Sequence, residues 1–83
     1  MKKLNELLPV KSDLLIESIT SDSRFVKPNS IFFCLDGLSV DGHQFVEEAI
    51  YKGAVCIVHS KELPNKKEGV VYYYTHEPIA CLN

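Results

Sequence analysis

The chain has 83 residues, 46% hydrophobic and 24% charged, with a net charge of −2 at pH 7. That length suits one small domain, which hides only roughly 60% of the surface its unfolded chain exposes, and the ordinary composition speaks against global disorder. Lys2-Lys3 and Lys66-Lys67 are the only basic pairs, so no clustered basic face for nucleic acid is present, and no apolar run reaches the ~20 residues that cross a bilayer.

In chain order, Lys3 to Leu8 places Leu4, Leu7 and Leu8 on one face and predicts a short helix stopped near Pro9. Its basic start lacks the long apolar stretch of a signal peptide. Leu14 to Thr20 alternates apolar and polar residues and predicts one strand leading into Ser21-Asp22-Ser23-Arg24. Pro28-Asn29 marks a turn, because Asn tolerates the left-handed region. Ile31-Phe32-Phe33-Cys34-Leu35 predicts a strand buried on both faces. Asp36 to Gly42 is a loop with two glycines.

From Asp41 to Lys52 the pattern turns helical, with Phe45, Val46, Ala49 and Ile50 on one face. Asp41 is the expected N-cap, Glu47 and Glu48 suit the positive end of the helix, and Gly53 suits its C-terminal stop. Ala54 to Val58 is the next strand, which makes a strand–helix–strand unit of parallel type. A polar loop with Pro64 follows, then a strand over Val70 to Tyr74. In that strand Tyr72 and Tyr74 face one way and Tyr73 the other, as packing requires. His76-Glu77-Pro78 leads into a helix beginning Ile79-Ala80-Cys81-Leu82. Helix nucleation is costly, so an end one turn into a helix reads as a truncation.

The chemistry is that of binding. The sequence holds no phosphate loop, no G-x-G-x-x-G and no nucleophile elbow. Cys34, Cys56 and Cys81 are odd in number and unpaired by spacing, as suits buried, reduced thiols of a cytosolic protein. His43, His59 and His76 share no metal-ligand spacing. Two loops stand at strand ends, where α/β sheets take ligands. Hydroxyls of Thr20, Ser21 and Ser23 and free amides of residues 37–42 are suited to clamp a heterocyclic base and its ribose. The competing reading is structural. Ser21 and Ser23 then build a local turn, Asp22 caps, and Arg24, the one arginine, pairs with a carboxylate. His43 is either a ligand contact or general base, or a packed imidazole tying loop to helix; with no Ser or Asp completing a nucleophilic set, packing is preferred.

Thr20-Ser21-Asp22-Ser23-Arg24, Val26, Pro28, Ile31-Phe32, Gly37, Asp41-Gly42-His43, Phe45, Ala49 and Gly53-Ala54 follow in an order and spacing that resembles the N-terminal domain of the Mur ligases of bacterial cell-wall synthesis. The MurE type, UDP-N-acetylmuramoyl-tripeptide synthetase, is the nearest; MurF has a similar domain. The resemblance implies an α/β fold, a small mixed β-sheet flanked by helices, and residues 1–83 as one uridine-nucleotide-binding domain. It implies that the ATP-binding central domain and the C-terminal domain are absent from this chain. The implied parent is a cytoplasmic, ATP-dependent ligase that joins meso-diaminopimelate or L-lysine to UDP-MurNAc-L-Ala-D-Glu with Mg²⁺. The fragment alone is then inactive and binds no cofactor. Its partners are the UDP-MurNAc-peptide substrate and the other ligase domains in cis, with no nucleic acid and no membrane.

Carried over position by position, the substrate contacts fall on Ser21, Ser23, Leu38, Ser39 and Val40, with Arg24, Gly37, Asp41, Gly42 and His43 supporting the loops and no catalytic residue among them. A MurF-type domain and a non-enzymatic interaction module are the alternatives. Two departures stand out: Asn29 where the family commonly has Gly, and acidic Asp36 where it often has a basic residue near a diphosphate-bearing ligand, which predicts repulsion.

Overall fold

The computed structural model describes residues 2–36 and 41–78. It centres on β4 (Ser30–Phe33), whose four residues are all buried. Side chains alternate across a strand, so Ile31 and Phe33 enter one apolar cluster and Phe32 another. Each face therefore needs its own cover.

The first face is covered by the N-terminal segment. Here β1 (Lys2–Lys3) pairs antiparallel with β2 (Leu15–Ile16), and the single-turn α1 (Leu4–Leu7) lies between them. The Lys3 N–H donates to Glu6 Oε1 at 2.9 Å, closing the first turn. Leu4, Leu8 and Ile16 pack with Ile31, Phe33, Cys56 and Val58. The second face is covered by α2 (Val46–Tyr51), which sets Val46 and Ala49 against Phe32, Cys34 and Ile57. Each large apolar side chain so buried stabilises the fold by about 1.5–3 kcal/mol.

The main sheet runs β3 (Ser18–Thr20), β4, β5 (Ala54–His59), β6 (Val71–Tyr74), every pairing parallel. Parallel and antiparallel pairing are thus both present, but divided between two sheets. Tyr72 and Tyr73 pack on opposite clusters.

Two expectations need correction. Leu14 to Thr20 is not one strand: β2 belongs to the small sheet and β3 to the large one. At the break, the Glu17 N–H donates to the Asn29 carbonyl at 2.8 Å. The helix predicted from Asp41 begins as a 3₁₀ turn, Gly42–Phe45, and becomes α-helical at Val46. Asp41 does cap it, its Oδ1 accepting from the His43 N–H. The helix beginning at Ile79 lies outside the described residues.

The crossovers meet at a close backbone contact. Asn29 has φ 64°, the left-handed conformation, which explains how Asn serves where Gly is common. Its N–H donates to the Gly53 carbonyl at 2.9 Å. Gly53 has φ +117°, and a Cβ there would lie 2.5 Å from Pro28 Cα. Both requirements exclude a side chain.

His59 ends β5 only 3% exposed. Its Nδ1–H donates to the Lys61 carbonyl at 2.8 Å, and Nε2 has no partner among the described residues. Tyr72 and Tyr74 meet the ring edge-on. Burial pushes its pKa below the ordinary 6.5, so the unfolded chain binds a proton more readily than the folded one. The stability from neutral His59 is full above 6.5 and lost as pH falls toward the folded value.

Two predictions follow from these geometries. In urea unfolding, Asn29→Gly stays near wild type, Asn29→Ala costs about 1 kcal/mol, and Gly53→Ala costs about 2 kcal/mol or more. In thermal scans the midpoint falls between roughly pH 7 and pH 5, and His59→Asn, which keeps an N–H donor but does not titrate, flattens that slope.

Candidate functional site

The polar cluster after β3 folds onto itself. Thr20 Oγ1 accepts from the Asp22 N–H at 3.1 Å. Asp22 Oδ1 accepts from the Arg24 N–H at 2.9 Å, capping the 3₁₀ turn Ser23–Phe25. The Arg24 guanidinium forks onto the same carboxylate, Nε to Oδ1 at 3.0 Å and Nη2 to Oδ2 at 2.7 Å. These bonds hold the Asp22 carboxyl down at about 2, with the Arg24 side chain the largest cause. Helix α2 anchors the turn from the other side: Lys52 Nζ donates to the Ser23 carbonyl at 3.0 Å and pairs with Glu48 at 3.2 Å. The Ser23 hydroxyl, then Lys52, keeps the Glu48 carboxyl below its usual range.

A second cluster stands beyond the end of β4. Asp36 and Asp41 face each other in an antiparallel bridge. The Gly42 N–H donates to the Leu35 carbonyl at 2.8 Å, and a Cβ on Gly42 would lie 2.8 Å from the Leu35 nitrogen. The close approach of the two backbones therefore requires glycine here. Asp41 Oδ1 accepts from the His43 N–H at 3.0 Å and from His43 Nδ1–H at 2.6 Å; Oδ2 accepts from Lys61 Nζ at 2.6 Å. Lys61 first, then the His43 amide, hold this carboxyl far below the usual range. His43 Nε2 accepts from the Ser60 and Lys61 N–H groups at 3.0 and 3.2 Å. That pattern fixes the neutral Nδ1–H tautomer and leaves neither ring nitrogen free to act as a base.

An open cleft of ≈ 570 Å³ lies between the two clusters. Ser21 to Arg24, Leu35, Gly42, Phe45 and Glu48 line it. Ser23 is 8% exposed, whereas the Arg24 side chain is 77% exposed and already paired. Of the predicted site residues, Ser21, Ser23, Arg24 and Gly42 are brought together here. Asp41 and His43 stand behind Gly42 and bind the Ser60–Lys61 turn instead. Gly37, Leu38, Ser39 and Val40 lie outside the described residues. Sequence reasoning missed Leu35, Phe45 and Glu48 as lining, and Lys52 and Lys61 as anchors. The i,i+4 spacing of Glu48 and Lys52 was a usable signal; Lys61 had none, since its partners are distant in sequence.

The cleft offers hydroxyls, backbone groups and one aromatic side chain, an arrangement for holding a polar, flat ligand. It offers no activated nucleophile. Burial pushes the Cys34 and Cys56 thiols up to about 12, and among the described residues no group of acidic, His and Cys side chains is placed to hold a metal ion.

Known proteins are similar to this chain. A UDP-N-acetylmuramoyl-L-alanyl-D-glutamate–2,6-diaminopimelate ligase of Geobacillus thermodenitrificans is 50% identical over 67 residues, covering 81% of this chain and 14% of the relative. UDP-N-acetylmuramyl-tripeptide synthetase 2 of Oceanobacillus iheyensis is 44% identical over 70 residues, again 81% of this chain and 14% of the relative. The chain thus spans about one seventh of these relatives. Among solved structures, MurF ligase from Thermotoga maritima in complex with ADP superposes with a TM-score of 0.70 at 25% identity, covering 86% of this chain and 16% of that one. A family model described as Mur ligase family, catalytic domain, matches residues 15–79, from β2 past the end of β6, and on that match the chain belongs to the Mur ligase family.

Proposed function

We propose that this chain is the uridine-nucleotide-binding domain of a MurE-type ligase. The observation that carries it is one cleft lined by Ser21, Ser23 and Gly42 together, at the carboxyl ends of neighbouring parallel strands. Relatives named as tripeptide synthetases or diaminopimelate ligases, at 44–50% identity, favour MurE over MurF.

The residues perform binding and orientation. The Ser23 hydroxyl, which lines the cleft together with Glu48, is suited to accept from an imide N–H of the base. Phe45 supplies an apolar wall, and Ser21, which is exposed, is suited to the ribose. Leu38, Ser39 and Val40 contribute from the adjoining loop, mainly through backbone groups. The turn bonds of Asp22 and Arg24 and the Asp41–His43 pair preorganise the walls, so that little ordering is left for the ligand to cost.

In the whole ligase, further domains in cis hold ATP and Mg²⁺, which supply phosphoryl transfer to the carboxylate of UDP-MurNAc-L-Ala-D-Glu before a diamino acid is joined to it. This chain contributes no group to that step and has no turnover alone. No helix of the described residues is long and apolar enough to cross a membrane, and the reaction proposed is that of a cytoplasmic enzyme.

Titration of the ¹⁵N-labelled chain with UDP tests this. Amide shifts are expected at residues 20–24 and 37–43 and at Phe45; shifts confined to other regions would sink the assignment. Ser23→Ala weakens UDP about fivefold, the size of one neutral hydrogen bond. An interaction module with no small ligand requires Ser23→Ala to leave every titration unchanged.

A further inference from the structure

The cleft has two acids in its lining and two more next in the chain to its lining residues Leu35 and Gly42, which is many for an anion site. Asp22 and Glu48 line it, but each has its own cation, Arg24 and Lys52. Asp36 and Asp41 stand opposite one another beside Leu35 and Gly42, and among the described residues they share one lysine. Lys61 Nζ lies 2.6 Å from Asp41 Oδ2 and 3.2 Å from Asp36 Oδ2.

The main chain of Lys61 is held from two sides. Its N–H and that of Ser60 donate to His43 Nε2, and its carbonyl accepts from His59 Nδ1–H. Two imidazoles thus fix where the lysine side chain starts, and two carboxylates fix where it ends. Removing the ammonium leaves two facing carboxylates with no countercharge, which repel each other and any phosphate brought near.

We infer that Lys61 is a positioning residue that fits this cleft to a nucleoside diphosphate. It acts through Asp36 and Asp41, cancelling their field beside the cleft and keeping the Asp41–Gly42 backbone against Leu35. This deepens the assignment of the cleft as a nucleotide site and rests on it. It also accounts for an acid at position 36: the countercharge comes from a turn 25 residues further along the chain. A nucleoside lacks phosphate, so the charge effect separates the two ligands.

Uridine and UDP are titrated into wild type, Lys61→Met, Asp36→Asn and Lys61→Met/Asp36→Asn, with thermal unfolding as a check on folding. Lys61→Met weakens UDP on the order of three- to tenfold at low salt and uridine about twofold or less. The double variant regains most of the UDP affinity, and the gap narrows at high salt. Asp36→Asn alone, at an exposed side chain, tightens UDP without changing uridine, and gives the answer even where Lys61→Met does not fold. Equal losses for both ligands, or no recovery in the double variant, overturn the charge role and leave a structural prop. Wild-type binding unchanged in Lys61→Met and Asp36→Asn overturns the inference alone. Absence of shifts in wild type with either ligand overturns the nucleotide assignment, and this inference with it.

Discussion

Burial of β4 on both faces is the constraint from which the rest of the structure follows. A strand reading Ser-Ile-Phe-Phe cannot leave either side to water, so a chain of this size must build two covers from little material. The N-terminal hairpin with its single helical turn makes one, and α2 makes the other. Ser30, the one polar residue in the strand, is fully buried, yet its hydroxyl donates to the Lys27 carbonyl at 2.6 Å and accepts from the Lys27 N–H at 3.1 Å. A buried hydroxyl satisfied in this way costs little and fixes the turn that enters the strand.

With both faces of the strand filled, the cleft lies at the end of the sheet. There the backbone leaves β3 and β4 in two turns whose polar groups are mostly paired with each other. Asp22 with Arg24 on one side and Asp41 with His43 on the other are short-range devices: each carboxylate caps a 3₁₀ turn two residues ahead. The same geometry, repeated at two strand ends, gives the cleft two rigid walls. Side chains that look reactive in isolation are occupied in holding those walls.

Much of this was legible in the sequence because it rests on local patterns. The apolar run of β4, the periodicity of α2, the Asp41 cap and the opposed faces of Tyr72 and Tyr73 all follow from neighbours a few residues apart. Asn29 was legible as a turn residue, and its positive φ accounts for the substitution. What was not legible depends on tertiary pairing. Nothing in Leu14 to Thr20 shows that its two halves join different sheets, since that is decided by β1 and β4. Nothing near Lys61 marks it as the partner of Asp36 and Asp41, and nothing near Lys52 says that it reaches the Ser23 carbonyl 29 residues away.

Cys34 and Cys56 have a use that follows from where they point. They lie on adjoining strand segments but in opposite clusters, Cys56 beneath the hairpin and Cys34 beneath α2. Neither reaches solvent in the folded state, so each thiol reacts with an alkylating reagent only when its own layer lifts away. With Cys81 replaced, the two labelling rates time the opening of the two layers separately. The domain therefore carries an internal pair of clocks, one for each side of its sheet.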